Sequence, residues 1–273
     1  MIKIDRLGWA VGASVESYGV RVGVRTNRPE ALDRLVKLFP GDAKTVPYPL
    51  VNRLYSLMVG GEGSRPGLRR FNLVYVNLAR TARTTDLDEA VEQLESDLHL
   101  YLAEWARWRV FVQAGVVGWN GKAILVPGGD SSGKSTLVAE MVRAGATYYS
   151  DQYAVLDWRG RVHPFARPIR LRENGGERQT RYEAEDLGGI AGEKPLPVGL
   201  VVASEFRATA RWRPRRLSPG QGVLALLANT MSARHKPELA FNTLWQVVAN
   251  VPVLKGVRGE AGEVVDQIFE RVA

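Results

Sequence analysis

The feature that most constrains the fold is a glycine-rich segment near the middle of the chain. Residues 121–136 read GKAILVPGGDSSGKST, and Gly128, Gly133, Lys134 and Ser135 match the phosphate-binding (Walker A) pattern G-x-x-x-x-G-K-[ST]. Glycines let consecutive backbone amides turn toward phosphates, the lysine adds a mobile positive charge, and the hydroxyl can ligate Mg²⁺. The pattern predicts binding of a nucleoside triphosphate. The predicted contacts are the residues of this loop: Gly128, Gly129, Asp130, Ser131, Ser132, Gly133, Lys134, Ser135 and Thr136.

The pattern has meaning only between a strand and a helix, and the flanking sequence predicts both. Ala123 to Val126 is an apolar run typical of a buried strand, and apolar residues then recur at helical spacing up to Gly145, a helix stop. The helix N-terminus would point its free amides at the bound anion. A chance glycine-rich turn is the alternative, and these flanks argue against it.

Composition limits the remaining chemistry. No apolar run approaches the roughly 20 residues that span a bilayer, and the N-terminus lacks the apolar segment of a signal peptide. We therefore expect a cytoplasmic protein without a membrane partner. The absence of cysteine excludes disulfides and thiolate chemistry, and the three histidines, His99, His163 and His235, are too scattered to predict a metal site. The only metal we expect is Mg²⁺ carried by the nucleotide.

The chain is basic, with 37 Lys and Arg against 29 Asp and Glu and a net charge of +8. Such a balance favours anionic partners. The densest cluster is residues 207–216, RATARWRPRR, which reads either as a solvated strand and turn or as a contact for phosphate or an acidic substrate. Nucleic-acid binding rests on the arginine surplus alone and is not expected.

The pattern along the chain predicts two domains, 1–106 and 107–273. The first is expected to be a small α+β domain, with a helix that Asp86 caps, with Glu89 three residues on, and that ends near Trp105. The second is expected to be α/β. The predicted strands are 18–26, 54–59, 71–78, 110–117, 123–126, 200–203 and 251–254, and the predicted helices besides the capped one follow Pro29 and the phosphate loop and cover 222–228, 239–248 and 261–272.

Two aspartates, Asp151 and Asp157, are considered as possible ligands or catalytic groups. Asp151 ends a short predicted strand and follows Lys134 by 17 residues, so it is a candidate to assist Mg²⁺ or the phosphoryl acceptor. The alternative for Asp151 is the cap of a turn. Asp157 precedes Trp-Arg-Gly, a sequence typical of a hairpin turn, which favours a structural role over a ligand role.

These residues resemble the HPr kinase/phosphorylases and the HPr kinase-related proteins. That family has the phosphate loop, a helix ending in Gly, and a strand closing on two adjacent acids, and here the corresponding positions are Gly145 and Ser150-Asp151-Gln152. The resemblance extends from about residue 110 to the C-terminus, most clearly as far as Asp157. It implies a P-loop kinase domain of the HPr kinase/PEP carboxykinase-like type.

Two positions depart from the family. Its proton-accepting second acid is Gln152 here, and its histidine is Gln113. Glutamine cannot accept a proton at neutral pH, although it can orient a hydroxyl. Three explanations stay open: a kinase that uses another base, a relative that only senses nucleotide, or a near-isosteric replacement of an acid in an active kinase. Glu173 and Glu177 lie roughly where the family has a metal-contacting Glu, although a surface loop is the favoured interpretation there.

The resemblance implies an ATP-dependent kinase that phosphorylates a serine-type hydroxyl on a protein, a peptide or a small molecule. Lys134 would bind the β- and γ-phosphates, Ser135 and Asp151 the Mg²⁺, and Gln152 would face the acceptor. Backbone amides from Gly129 to Gly133 would hold the transferred group. Residues 1–106 would recruit the substrate, and a homo-oligomer stays open. Candidates for a charge-neutralising arginine are Arg213, Arg215, Arg216 and Arg234.

Overall fold

The computed structural model describes residues 3–41, 43–61, 70–129, 132–172 and 179–272. The chain divides into two compact units, residues 1–108 and 109–273. Both combine helices and sheets, so the protein is of the mixed α/β class that the sequence predicts. Most of the glycine-rich segment 60–67, which its composition predicts to be a loop, lies outside the described residues.

The first unit is a six-stranded sheet, in the order β3-β1-β2-β4-β5-β6, with helices packed on one face. Its elements are β1 (Val11–Ser17), β2 (Val20–Thr26), α1 (Leu32–Val36), β3 (Lys44–Val46), β4 (Arg53–Met58), β5 (Asn72–Val76), β6 (Ala79–Thr84) and α2 (Leu87–Trp105). Alternate residues of β2, among them Val22 and Val24, face the core because side chains in a strand point to opposite faces in turn. Helix α1 packs against β1 and β2, and the apolar stripe of α2 packs against β4, β5 and β6.

Asp86 caps α2 as the sequence predicts. Its carboxylate accepts hydrogen bonds from the backbone amides of Asp88 (2.8 Å) and Glu89 (3.3 Å), which satisfies two of the free donors at the helix start. The Glu89 side chain accepts instead from the hydroxyl of Thr84. The helix therefore has an ordinary side-chain cap.

The second unit is built on an eight-stranded sheet in the order β11-β10-β7-β8-β14-β16-β15, with β9 also paired to β7. Its elements are β7 (Val110–Trp119), β8 (Lys122–Pro127), α3 (Lys134–Arg143), β9 (Thr147–Ser150), β10 (Tyr153–Leu156), β11 (Arg161–His163), β12 (Ile169–Arg172), β13 (Gln179–Tyr182), β14 (Leu196–Phe206), β15 (Arg215–Arg216), α4 (Pro219–Leu227), α5 (Pro237–Val248), β16 (Val253–Arg258) and α6 (Val265–Phe269). Strands β12 and β13 pair with each other as a separate two-stranded sheet.

Helices cover both faces of this sheet. Ile124 and Val126 of β8 pack with α3 and α6, whereas Ala123 and Leu125 pack with α4 and α5. This arrangement explains why residues 123–127 of the strand are all apolar, rather than alternately apolar and polar. Among the described residues, no helix has both the length and the apolar character needed to cross a membrane.

The middle of the sheet is parallel, and this feature positions the candidate site. Strands β8, β14 and β16 run in the same direction, so their carboxyl ends meet at one edge. The phosphate loop follows β8 at that edge, and Phe206 and Arg258 are the last residues of β14 and β16. Open α/β sheets bind ligands at the carboxyl ends of such strands.

Several predicted boundaries need correction. The helix expected after Pro29 begins as a 3₁₀ turn and is helical only over Leu32–Val36. The closing helix expected at 261–272 spans only Val265–Phe269, and the strand expected at 251–254 is β16, which continues to Arg258. Element ends are the least certain part of a prediction from sequence because tertiary pairing extends or shortens them.

Asp157 holds the turn between β10 and β11. Its carboxylate accepts hydrogen bonds from the backbone amides of Arg159 and Arg161, from the Arg161 guanidinium and from His163. Burial by itself raises the pKa of Asp157, but the bonds from the Arg161 amide, His163 and the Arg161 side chain outweigh it and lower the pKa below 3.8. The predicted structural role of Asp157 agrees with these contacts.

Replacing Asp157 by alanine should lower the free energy of unfolding by about 1.5–3 kcal/mol near neutral pH, because several donors lose a charged acceptor. The folded state holds this proton more weakly than the unfolded chain, so the stabilisation is present above pH 3.8 and disappears as the pH falls through the lowered pKa. Urea denaturation at several pH values measures both effects. Asp266→Ala, at an exposed position of α6, is the control, and an equal loss in both variants would contradict the prediction.

Candidate functional site

The phosphate loop joins β8 to α3. The amide of Gly128 donates to the backbone carbonyl of Gln113 on β7 (3.1 Å), which attaches the start of the loop to the neighbouring strand. Gly133 adopts a left-handed conformation with φ of 79°, and α3 begins at the next residue. The helix N-terminus therefore opens directly onto the loop, where its amides and dipole favour an anion.

Gly133 is needed at this junction for two reasons. Its positive φ is strained for residues that carry a β-carbon. A methyl group at this position would also lie 2.7 Å from Nη2 of Arg258. The backbone carbonyl of Gly133 accepts a hydrogen bond from that same nitrogen at 2.7 Å.

Lys134 is largely buried at the start of α3. Its ammonium group donates to the backbone carbonyl of Gly129 within the loop (3.1 Å). The contact folds the side chain back over the loop rather than out to solvent. A phosphate bound to the loop would meet this charge directly.

Asp151 and Ser135 meet across the site, although they lie on different elements. The hydroxyl of Ser135 donates to Oδ2 of Asp151 (2.9 Å), and the hydroxyl of Tyr148 donates to Oδ1 (3.2 Å). Burial raises the pKa of the Asp151 carboxyl, while the bonds from Ser135 and Tyr148, the Arg170 amide and the charge of Lys134 act in the opposite direction. Asp151 is therefore a buried carboxylate held by hydroxyls.

These oxygens fit a Mg²⁺ ion that arrives with a nucleotide. Magnesium is usually held by one or two protein oxygens, while phosphates and water supply the other ligands. Ser135 and Asp151 provide one hydroxyl and one carboxylate at neighbouring positions. Within the described part of the chain, no group of three or more His, Asp or Glu side chains could hold a metal without a nucleotide.

Gln113 lies on β7, and Gln152 lies in the bend between β9 and β10. Gln113 of β7 is opposite Tyr153 of β10, and the amide of Ala114 donates to the carbonyl of Gln152 at 3.1 Å. The amide of Gln152 in turn donates to the hydroxyl of Ser150. The backbone of Gln152 is thus held beside Asp151, and its side chain is half-buried.

The other predicted residues divide into two groups. Asp130, Ser131, Glu173 and Glu177 lie outside the described residues. The four arginines proposed to neutralise charge are exposed, and β15, which contains Arg215 and Arg216, pairs with Leu254 and Lys255 in the first half of β16. The carboxyl end of β16 carries a different arginine.

That arginine, Arg258, is the residue that sequence reasoning missed. It is only 2% exposed, and it donates to the carbonyls of Gly133 (2.7 Å) and Gly259 (3.1 Å). Burial lowers its pKa, although the charge of Glu260 acts in the opposite direction. The sequence signal was a charged residue a few positions beyond an apolar run, which becomes informative only once β16 is known to be parallel to β8 and β14.

Comparison with protein-family models and with curated proteins found no match to this chain. The assignment of function therefore depends on the residues and geometry of the site.

Proposed function

We propose that this chain is a Mg²⁺- and ATP-dependent kinase, of P-loop type, that phosphorylates a serine-type hydroxyl on a protein or peptide. The single observation that carries the proposal is the hydrogen bond between Ser135 and Asp151, beside the buried ammonium of Lys134. P-loop enzymes hold Mg²⁺ with the loop hydroxyl and an aspartate from another strand. Burying a lysine and a carboxylate is costly, and a glycine turn with only a structural role would not require it.

The proposed chemistry assigns a task to each side chain. Lys134 neutralises charge on the β- and γ-phosphates, and Ser135 with Asp151 holds the Mg²⁺, which supplies further charge neutralisation when bound. The acceptor hydroxyl oxygen bonds to the γ-phosphorus as the bond to the ADP oxygen breaks, and the hydroxyl proton passes to solvent water. Gln152 can orient that hydroxyl through its amide but cannot take its proton.

A second candidate function is a nucleotide-binding module without turnover. Gln113 and Gln152 favour it because neither side chain is a base at neutral pH. It shares the nucleotide site with the kinase, so ATP binding does not discriminate between the two. Phosphoryl transfer does, and incubation with labelled ATP, Mg²⁺ and a pool of serine-containing peptides is the measurement.

Replacing Lys134 by alanine should weaken ATP binding at least about 30-fold, because a charged contact to phosphate worth at least about 2 kcal/mol is lost. Calorimetric titration with ATP and Mg²⁺ measures the affinity. Lys255→Ala removes an exposed lysine of β16 and should leave the affinity unchanged. Equal affinities in all three proteins would contradict nucleotide binding at the loop, and binding without transfer to any peptide would favour the second candidate.

A further inference from the structure

Phe206 is a half-exposed aromatic residue at the edge of the sheet that bears the phosphate loop. It ends β14, the parallel neighbour of β8, and 48% of it is exposed. A β-carbon on Gly133 would lie 3.6 Å from Cβ of Phe206, which puts the two backbones side by side. The ring therefore stands next to the position where α3 opens onto the loop.

Arg258 lies against this ring. Its Cζ atom is 5.6 Å from the ring centroid, within the range of a cation–π contact. The guanidinium is held in turn by the carbonyls of Gly133 and Gly259. Phe206 is thus supported from inside the protein while much of its surface remains open to solvent.

Asp151 and Phe206 lie on opposite sides of the phosphate loop. Asp151 follows β9, which pairs with β7, whereas Phe206 ends β14, and β7 and β14 flank β8 on opposite sides. In the proposed site, Ser135 and Asp151 would hold Mg²⁺ beside the γ-phosphate, so the γ-end of a triphosphate would lie toward Asp151. Its nucleoside end would then extend toward β14.

We infer that Phe206 stacks on the base of the bound nucleotide and that Arg258 is a positioning residue that holds the ring. This inference rests on the proposed nucleotide site. An exposed aromatic ring can stack on any nucleobase, because every base has an extended π-face. The pocket for the base would then be an open platform at the end of β14, rather than a closed cleft.

The test compares ATP with inorganic tripolyphosphate, which has the phosphates but no base. Phe206→Ala should weaken ATP binding about 5- to 150-fold, the effect of losing one base–aromatic stack. Tripolyphosphate should bind the variant and the natural protein equally, and this arm also reports whether the loop remains intact. Phe206→Trp should bind ATP at least as tightly as the natural protein, because it keeps a stacking surface.

Phe241→Ala is the matched control, since Phe241 is 49% exposed and lies on α5. It should bind both ligands like the natural protein. Equal affinity of Phe206→Ala and the natural protein for ATP would overturn the inference, as would a parallel loss of ATP and tripolyphosphate. In both cases the proposed function survives if Lys134→Ala still weakens ATP binding. If the natural protein binds neither ligand, the proposed function fails first and the stacking inference fails with it.

Discussion

Gln152→Glu should increase the rate of phosphoryl transfer by about 10²–10⁴-fold, the usual contribution of a general base. The backbone at this position is already held, because its carbonyl accepts from Ala114 and its amide donates to Ser150. Glutamate has nearly the same shape as glutamine, so the change adds a proton acceptor beside Asp151 without a change of scaffold.

The measurement for Gln152→Glu is transfer of label from ATP to a serine-peptide pool. Gln152→Asp should give a smaller gain because its carboxylate is one methylene shorter. Gln246→Glu is the control for added negative charge, since Gln246 is exposed on α5. A natural protein that already transfers label, with no gain in either acidic variant, would show that another group takes the proton. No transfer in any variant, together with retained ATP binding, would favour the module without turnover.

Asp151→Asn should slow transfer at least about 100-fold, a loss typical of removing one charge-stabilising contact. It should also weaken ATP binding in the presence of Mg²⁺ and leave binding in EDTA nearly unchanged, since asparagine has no charge with which to hold the ion. Calorimetric titration with ATP, in Mg²⁺ and in EDTA, measures the two affinities separately. An equal loss of affinity under both conditions would indicate damage to the loop rather than to the metal ligand.

The same variant should be more stable than the natural protein when no ligand is bound. Burial raises the pKa of Asp151, so the folded state binds this proton more tightly than the unfolded chain does. The ionised carboxylate consequently destabilises the ligand-free fold above that pKa, and stability recovers as the pH falls through it. The difference in melting temperature between the two proteins should therefore shrink on acidification. A lower melting temperature for Asp151→Asn near neutral pH would contradict this account of the site.

The sequence predicted those parts of the fold whose interactions involve residues close together in the chain. The apolar run of β8, the spacing of apolar residues in α3 and the left-handed stop at Gly145 all follow from the sequence around them. The cap at Asp86 and the turn at Asp157 are also local, since their hydrogen bonds reach only a few residues along the chain. Such features are predictable because the partners are close in sequence.

The parts that were missed depend on distant partners. Arg258 is buried because β16 runs parallel to β14, and Gly133, its partner, lies 125 residues earlier in the chain. The shortened helix α6 follows a Gly-Glu-Ala-Gly stretch whose local pattern gave no clear start. Ser135 and Asp151 were expected together from the family resemblance, but the hydrogen bond between them joins two elements that only the folded sheet brings together. No periodicity in the sequence encodes those distances.

The backbone bonds around Gln152 have an evolutionary consequence. Gly128 is attached to Gln113, and Ala114 to Gln152, through main-chain atoms alone, so the loop and the proposed acceptor position stay aligned whatever side chain stands at 152. Codons for glutamine and glutamate differ by a single base. A lineage with this scaffold could therefore alternate between a catalyst and a sensor by point mutation, without passing through an unstable intermediate.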